Sequence, residues 1–259
     1  MERLDVFLVE KNYFSSRSKA SYEIKQGNVE VNGKVVLKPS FHVLETDSIH
    51  IKENTLKYVS RGGLKLEKAI STFHLDLKNK IMLDIGSSTG GFCDCALQNG
   101  IGYIYAVDVG KDQFTKKLLE SNKISLYENT DIKDFKGEDK NISLVTMDVS
   151  FVSVTKLLFV LRKMPTVKEV ICLIKPQFEC GKEVADRYKG IPLNKKVHYA
   201  VIEKVISTFH QEHFYLQGLT FSPIKGGSGN IEYLAYLTRK KEEKNIDYAL
   251  VIDLAFSSF

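Results

Sequence analysis

The pattern of apolar positions from residue 80 onward predicts alternating strands and helices. Buried strands are indicated by the apolar runs KIMLDIG, YIYAVDVG, LVTMDVS and EVICLIK. Helical patterns lie between the early strands, one beginning at Gly91 and one around QFTKKLLES. Strands and helices that alternate in this way form βαβ units, so this part of the chain predicts an α/β domain with a doubly wound sheet.

The first 52 residues follow another pattern, with two short helices followed by small strands. The helical segments are RLDVFLVEKNYF and SRSKASYEIKQG, and the strands lie in VEVNGKVV and HVLETDSIHIKE. Ser16 is the predicted N-cap of the second helix, Gly27 its end, and Asn32-Gly33 a hairpin turn. We therefore predict three segments: a small α+β domain at 1–52, a linker without periodicity at 53–60, and the α/β domain at 61–259.

The composition is that of a folded protein that can bind nucleic acid. Of the 259 residues, 43% are hydrophobic and 27% charged, which argues against long disordered regions. The formal net charge is +5, and the stretch from residue 11 to residue 38 has basic residues at 11, 17, 19, 25, 34 and 38 against acidic ones at 23 and 30. Either a solvated surface or a basic face for RNA explains this local excess.

No segment has the features of a membrane span, a secretory signal or a metal site. No apolar run reaches the roughly 18 residues that a bilayer crossing needs, and the first residues lack the layout of a signal peptide. The four cysteines form no CxxC pair and have no histidines at ligand spacing, so we expect structural thiols and no metal. We expect a cytoplasmic protein without membrane attachment, and a monomer.

The turn after the first strand of the larger domain is suited to ligand binding. Small residues at 87–91 let the backbone approach a ligand at the amino terminus of a helix. A nicotinamide enzyme would have GxGxxG here, but the glycines fall at 86, 90 and 91. Asp108 ends the next strand, where a carboxylate can accept both hydroxyls of a ribose. Asp131 follows the third strand; it is either a contact for an adenine amine or part of an ordinary polar loop.

Four further charged residues lie where the predicted topology can bring them together. Asp148 and Lys175 end apolar strands, and the carboxyl ends of parallel strands line the ligand crevice of a doubly wound sheet. Lys65 lies in SRGGLKLEKA, and Glu232 follows the turn GGSGN. A buried lysine requires a carboxylate neighbour, because desolvation of an ammonium group is unfavourable. The four residues therefore form either a reacting centre or an ion-paired cluster that only stabilises the crevice.

Two stretches resemble known modules. The order SRSKAxxxIxxGxVxVNG resembles the S4 RNA-binding domain over most of the first 52 residues, which implies contacts to RNA phosphates. The expected RNA-binding residues are Arg3, Arg17, Ser18, Lys19, Lys25, Lys34 and Arg61. The loop after the first strand of the larger domain resembles the D-x-G-x-x-x-G loop of class I methyltransferases, which implies S-adenosylmethionine as the cofactor. The expected cofactor-binding residues are Asp84, Gly86, Ser87, Ser88, Thr89, Gly90, Gly91, Phe92, Asp108, Val109, Asp131 and Asp148.

Six motifs in order resemble the TlyA (hemolysin A) family, which joins an S4-like amino terminus to an FtsJ/RrmJ-like catalytic domain. The motifs are SRGGLKL, DIGSSTGGFCD, AVDVG, TMDVSF, LIKPQFE and GNIEY. The resemblance covers residues 1 to about 240 and implies a Rossmann-like, seven-stranded class I methyltransferase domain. It also implies a catalytic tetrad of Lys65, Asp148, Lys175 and Glu232, and 2′-O-methylation of cytidine in ribosomal RNA within ribosomal subunits.

We expect Lys175 to act on the ribose hydroxyl. This hydroxyl must lose its proton as it attacks a methyl group, so a basic or oxygen-orienting side chain is needed within hydrogen-bond reach. The sequence leaves open whether Lys175 accepts the proton as a neutral amine or stabilises the alkoxide as an ammonium. The charged segment 181–197 is expected to fold over the substrate or to remain a solvated loop. Residues 240–259 are expected to form an amphipathic helix on the domain.

The chain departs from the family pattern at two places. Residues 128–133 replace an ER-x-N-x-R-like stretch, and Asp112 stands where relatives have glycine, so the contacts to adenine are in question.

Two other interpretations of the function stay open. One is a non-catalytic RNA-binding assembly factor in which the methyltransferase-like half is structural. The other is a small-molecule methyltransferase or nicotinamide enzyme with an unrelated amino terminus.

Overall fold

The computed structural model describes residues 1–11, 13–14, 17–25, 27–52, 57–226, 228–242 and 244–259. The chain divides into two units, Met1–Leu56 and Lys57–Phe259. Tyr58 is buried, and the Val59 N–H donates to the Asp94 carboxylate at 2.7 Å. The last four residues of the predicted linker 53–60 are therefore part of the larger unit, whereas residues 53–56 lie outside the described residues.

The smaller unit has the α+β arrangement expected from its pattern. Its elements are β1 (Glu2–Arg3), α1 (Leu4–Glu10), α2 (Arg17–Lys25), β2 (Val29–Val31), β3 (Lys34–Val35), β4 (His42–Val43) and β5 (Ile49–Ile51). β1 pairs with β4, and β2 pairs with both β3 and β5, all antiparallel. Asn32 and Gly33 both have positive φ, at 52° and 75°, as the predicted hairpin turn requires. The predicted N-cap, Ser16, lies outside the described residues.

A buried carboxylate links the two helices of the smaller unit. Asp5, 3% exposed, accepts hydrogen bonds from Arg3 at 2.9 and 3.0 Å and from Arg17 at 3.2 Å. The hydrogen bonds from Arg3 lower the pKa of Asp5 to about 2, opposed by burial and assisted by Arg17. Two of the predicted RNA-binding arginines are thus fixed by one acid, while their side chains stay 46% and 61% exposed.

The larger unit contains seven paired strands within its described residues, which confirms the class I methyltransferase architecture. The strand order is β11-β12-β10-β9-β6-β7-β8. The strands are β6 (Ile81–Ile85), β7 (Tyr103–Val107), β8 (Ile124–Tyr127), β9 (Leu144–Met147), β10 (Glu169–Ile174), β11 (Tyr215–Phe221) and β12 (Tyr233–Thr238). β6 to β10 are parallel, and β12 is inserted antiparallel between β10 and β11.

Helices cover both faces of this sheet. They are α3 (Gly62–Phe73), α4 (Gly91–Gln98), α5 (Lys116–Leu119), α6 (Phe159–Lys163), α7 (Pro176–Glu179), α8 (Lys182–Arg187), α9 (Lys195–Gln211) and α10 (Tyr248–Ser258), with 3₁₀ turns at Ile132–Asp134 and Val154–Leu157. Alternate strand residues join two separate hydrophobic clusters: Leu83 and Val145 belong to one, Met82 and Leu144 to the other. Each face of the sheet therefore has its own core.

The last helix closes the domain, as the apolar end of the sequence predicts. α10 packs on α9 and β11, with Ile252 and Ala255 buried. Lys195 of α9 forms a salt bridge with Asp253 at 2.7 Å. Among the helices in the described ranges, none combines the length and apolar character that crossing a bilayer demands.

We predict that Asp5→Asn destabilises the smaller unit at neutral pH and much less in acid. The folded pKa of Asp5, about 2, lies below the ordinary 3.8, so its stabilisation is fully present above about pH 4 and is lost as the pH falls toward 2. Because both arginines are partly exposed, we expect the free energy of unfolding of the smaller unit to fall by only about 1–2 kcal/mol at pH 7. Hydrogen exchange of the α1 and α2 amides in the full chain measures this difference, and an equal loss at pH 7 and pH 2.5 would contradict the prediction.

Candidate active site

The predicted site residues meet at one edge of the sheet. The loop 86–91 follows β6, Asp108 follows β7, Asp148 follows β9 and Lys175 follows β10. Because these strands are parallel, their carboxyl ends lie together, and the ligand crevice of a doubly wound sheet forms there. Two cavities open at this edge, with volumes of about 710 and 540 Å³. They share a lining of Gly86, Ser88, Asp148, Ser150 and Phe151.

Four charged side chains form a continuous chain of contacts in the larger cavity. Lys65 Nζ lies 2.8 Å from Glu232 Oε2 and 3.2 Å from Asp148 Oδ2. Lys175 Nζ lies 2.6 Å from Asp148 Oδ1. Positive and negative groups therefore alternate in the order Glu232, Lys65, Asp148, Lys175, so that each buried charge has an opposite neighbour. The expectation that these residues converge is confirmed.

Burial and charge act against each other in this cluster. Burial by itself lowers the pKa of Lys65, but the carboxylates of Asp148 and Glu232 outweigh it and raise the pKa. Burial raises the pKa of Asp148, but Lys65 and Lys175 outweigh it and lower the pKa. Lys65 is thus a cation shared by two carboxylates. Lys175 instead contacts one carboxylate and the Ser150 hydroxyl, at 3.2 Å.

Two buried oxygen atoms beside the cluster have unused bonding capacity. The Gln177 amide donates to Glu232 Oε1 at 3.2 Å, but its Oε1 atom has no partner within the described part of the chain. The same holds for the Ser87 hydroxyl in the glycine loop. Both residues line the larger cavity. Since buried polar atoms in proteins are almost always hydrogen-bonded, these two atoms are suited to a polar ligand.

Glycine is required at position 86 for two reasons. Its φ of 84° is in the left-handed region, and a Cβ atom there would lie 2.7 Å from the carbonyl oxygen of Asp148. The loop therefore runs against the end of β9. Within this loop the Ser88 N–H donates to Asp108 Oδ2 at 2.7 Å. The Gly110 N–H donates to the other oxygen of the same carboxylate, Asp108 Oδ1, at 2.6 Å. The Asp108 carboxylate is thereby fixed at the edge of the smaller cavity.

Asp84 and Gly90 do not line either cavity, contrary to the expectation that they contact a ligand. The Asp84 side chain is fully buried and accepts hydrogen bonds from Thr146 at 2.6 Å and Cys93 at 3.2 Å. Burial raises the pKa of Asp84 to about 6, against the effect of both hydrogen bonds. Strand alternation points its side chain to the face of the sheet that α4 covers, where its hydrogen bonds link β9 to α4 behind the loop.

The other predicted cofactor residues do line the cavities. Ser87, Thr89, Gly91 and Phe92 border the larger one, and Val109 and Asp131 the smaller one. Asp131 accepts a hydrogen bond from the Lys133 N–H and pairs with the Lys133 side chain, both at 3.0 Å. The backbone contact and the ion pair lower the pKa of Asp131.

A pair of phenylalanine rings borders the site and has no counterpart in the sequence predictions. Phe151 is 92% exposed, has a φ of 65°, and its ring centroid lies 5.2 Å from that of Phe178. Both rings line the larger cavity. A bulky residue in the left-handed region is strained, and such strain concentrates at functional sites. The sequence signal is only that Phe151 and Phe178 follow Asp148 and Lys175 at three residues' distance.

Comparison with known proteins matches both units. The FtsJ-like methyltransferase family matches residues 58–239, and the S4 domain matches residues 2–49. The chain is 37% identical to the "23S rRNA (cytidine-2'-O)-methyltransferase TlyA" of Campylobacter jejuni, over 89% of this chain and 97% of that one. The chain belongs to the TlyA family of FtsJ-like methyltransferases. The resemblance inferred from its motifs is confirmed.

One further relative is more similar in sequence, and one solved structure matches almost the whole chain. The "Putative rRNA methyltransferase YqxC" of Bacillus subtilis is 45% identical, over 91% of this chain and 85% of that one. The structure titled "Putative hemolysin from Streptococcus thermophilus" superimposes with a TM-score of 0.78 at 37% identity, covering 99% of this chain and 96% of that one. The TlyA family fold thus extends over the chain, including the region beyond the FtsJ-like match.

The predicted RNA-binding residues of this TlyA family member lie in both units. Arg61 lines the larger cavity, whereas Lys25 and Lys34 are exposed in the smaller unit. The side chains of Ser18 and Lys19 lie outside the described residues.

The segment 181–197 contains α8, and its Ala185 and Gly190 border the larger cavity. The Asn230 amide donates to the Gly190 carbonyl at 3.1 Å, which ties this segment to the turn before Glu232. Its closure over a substrate stays a prediction.

We predict that Gly86→Ala destabilises the larger unit more than the matched variant Gly190→Ala. Both glycines have a positive φ, 84° and 77°, so backbone strain of about 1–3 kcal/mol applies to both. Only at Gly86 does a Cβ atom collide, with Asp148, whereas nothing lies within 4 Å at Gly190. We expect an additional loss of about 1–3 kcal/mol at Gly86. Urea unfolding gives both values, and equal midpoints would show that the loop is not packed against β9.

Proposed function

We propose that this protein transfers the methyl group of S-adenosylmethionine to the 2′-hydroxyl of a cytidine in ribosomal RNA. The observation that carries the proposal is the alternating cluster Glu232–Lys65–Asp148–Lys175, placed beside a glycine loop at the ligand edge of a methyltransferase fold. The Campylobacter jejuni relative, named as a 23S rRNA (cytidine-2'-O)-methyltransferase, supports the substrate class.

The residues of the two cavities fit S-adenosylmethionine. Asp108 would accept the ribose hydroxyls, since each carboxylate oxygen that already accepts one backbone N–H keeps a free lone pair. The loop 86–91 would hold the methionine end, where the unpartnered Ser87 hydroxyl supports a polar ligand. Asp131 would lie at the adenine. When bound, this cofactor supplies an electrophilic methyl group.

Lys175 orients the ribose hydroxyl and controls its charge. Lys65 is neutralised by two carboxylates, so Lys175, with one carboxylate and one hydroxyl neighbour, is the lysine with bonding capacity for a substrate oxygen. As a neutral amine it would accept the hydroxyl proton; as an ammonium it would stabilise the developing alkoxide. Asp148 fixes its position in either case. Holding the hydroxyl in line for attack lowers the barrier further.

The RNA would be bound by both units. Phosphate contacts from Lys25, Lys34 and the arginines of the S4 unit supply affinity and register without reading the sequence. At the larger cavity, the exposed ring of Phe151, beside the half-buried ring of Phe178, offers a stacking surface that suits an unpaired base. We infer ribosomal subunits in the cytoplasm as the site of action. A monomeric state stays a prediction.

Replacing Lys175 with methionine, which keeps the length of the side chain, is predicted to abolish transfer while preserving the fold. We expect a loss of about 10²–10⁴-fold in rate with cofactor binding retained, because the lysine acts on the hydroxyl and not on the cofactor. Mapping ribose methylation in rRNA from cells that lack the gene and carry each variant measures the effect. Lys80→Met is the matched control, since Lys80 pairs with Glu169 away from both cavities. Normal methylation by Lys175→Met would exclude the assigned role.

Neutralising Lys25 and Lys34 together is predicted to weaken RNA binding without changing cofactor binding. Each lost phosphate contact reduces the slope of log affinity against log salt by about 1. Fluorescence anisotropy with an rRNA fragment at several salt concentrations determines this slope. The double variant of Lys116 and Lys117, exposed on α5 in the larger unit, is the control for a simple change of net charge. An identical slope for both double variants would refute RNA binding through Lys25 and Lys34 of the smaller unit.

A further inference from the structure

We propose that Glu179 is a positioning residue that fixes the RNA side of the active site. This inference rests on the proposed function and assigns a role to a buried acid that lines neither cavity. Glu179 is 3% exposed and ends the short helix α7. Its Oε2 atom accepts a hydrogen bond from the Ser153 hydroxyl at 2.6 Å, and its Oε1 atom accepts one from the Val154 N–H at 2.7 Å.

The first segment that Glu179 fixes is the one that carries Asp148, Ser150 and Phe151. At its start the Asp148 N–H donates to the Ile85 carbonyl at 3.1 Å. At its end the Glu179 carboxylate accepts hydrogen bonds from the Ser153 hydroxyl and the Val154 N–H. Between these anchors Phe151 has a left-handed backbone, which is unfavourable for a bulky residue and persists only when its surroundings determine it. Without the Glu179 anchor, we expect this backbone to relax.

The second segment is α7, which carries Gln177 and Phe178 and has Lys175 as its N-cap residue. A helix of four residues is not stable by itself, because nucleation is unfavourable. The Glu179 N–H donates to the Lys175 carbonyl at 3.2 Å, and Lys204 of α9 donates to the Glu179 carbonyl at 3.3 Å. The backbone of Glu179 thus belongs to the Lys175 segment, while its side chain holds the Asp148 segment.

Two contacts of the active site depend on the register between these segments. One is the hydrogen bond between Lys175 and Ser150, at 3.2 Å, and the other is the ring contact between Phe151 and Phe178. Lys175 and Phe178 line only the larger cavity, where the nucleoside would bind, whereas Ser150 and Phe151 line both cavities. Loss of Glu179 should therefore affect turnover and KM for RNA more strongly than cofactor affinity.

The experiment compares Glu179→Ala, Glu179→Gln and Ser153→Ala with Glu212→Ala. Glu212 is the control because its side chain is also mostly buried, at 10% exposure, and is held by Arg162 away from both cavities. We expect kcat/KM for RNA to fall about 10- to 100-fold in Glu179→Ala, and the cofactor Kd to rise by a clearly smaller factor. Glutamine should restore part of the activity, since its amide oxygen can accept from Val154 and its amide N–H can donate to Ser153.

A readout that does not require turnover separates this inference from the proposed function. Hydrogen exchange of residues 149–154 should accelerate in Glu179→Ala and in Ser153→Ala but not in Glu212→Ala. Unchanged exchange and unchanged kcat/KM in both Glu179 variants would overturn the inference, as would an equal loss in Glu212→Ala. If the wild-type protein bound cofactor but methylated no rRNA, the proposed function would fail, while faster exchange would still establish the positioning role. If Glu179→Ala does not fold, Ser153→Ala and Glu179→Gln decide by the same measures.

Discussion

The candidate active site depends on a single carboxylate that lies between two lysines. Asp148 contacts Lys65 and Lys175 through different oxygen atoms, and it is the only member of the cluster with two lysine contacts. Without Asp148, Lys175 would have no carboxylate partner and Lys65 would keep only Glu232, with the two ammonium groups close together in a largely buried crevice. The same residue also packs against the glycine loop. Its carbonyl oxygen lies so close to Gly86 that a side chain at position 86 would collide with it. Charge balance and loop packing thus meet at one position.

Much of this arrangement could be predicted because strand ends are predictable. Asp108, Asp148 and Lys175 each follow an apolar run, and the parallel order of the strands brings such ends together whatever their separation in sequence. The glycine loop could be located for a similar reason, since small residues between a strand and a helix indicate close backbone approach. Family motifs were needed for Lys65 and Glu232, which lie on a helix before the sheet and at the start of an antiparallel strand.

The residues that sequence reasoning missed or misplaced are those whose role depends on side-chain direction. Asp84 is in the motif but faces the interior, where Thr146 and Cys93 bind its carboxylate. Gln177, Phe151 and Glu179 gave no signal, because an amide, an exposed ring and a buried acid have no characteristic spacing. The linker shows the same limit: Tyr58 has no periodic neighbours in sequence, yet it is buried in the larger unit. Periodicity identifies elements, but it does not identify single side chains that fix one element to another.

The topology also explains why the cluster requires the whole larger domain. Lys65 lies on α3, before the first strand of the sheet, and Glu232 directly precedes β12, the last strand of the chain, which lies between β10 and β11. Until β12 is in place, Lys65 has one carboxylate partner instead of two, and Gln177 has lost the acceptor for its amide. Completion of the sheet and completion of the charge balance are therefore the same event. Because a partly satisfied buried ion network is less favourable than a complete one, the cluster favours the fully assembled domain over partly folded forms.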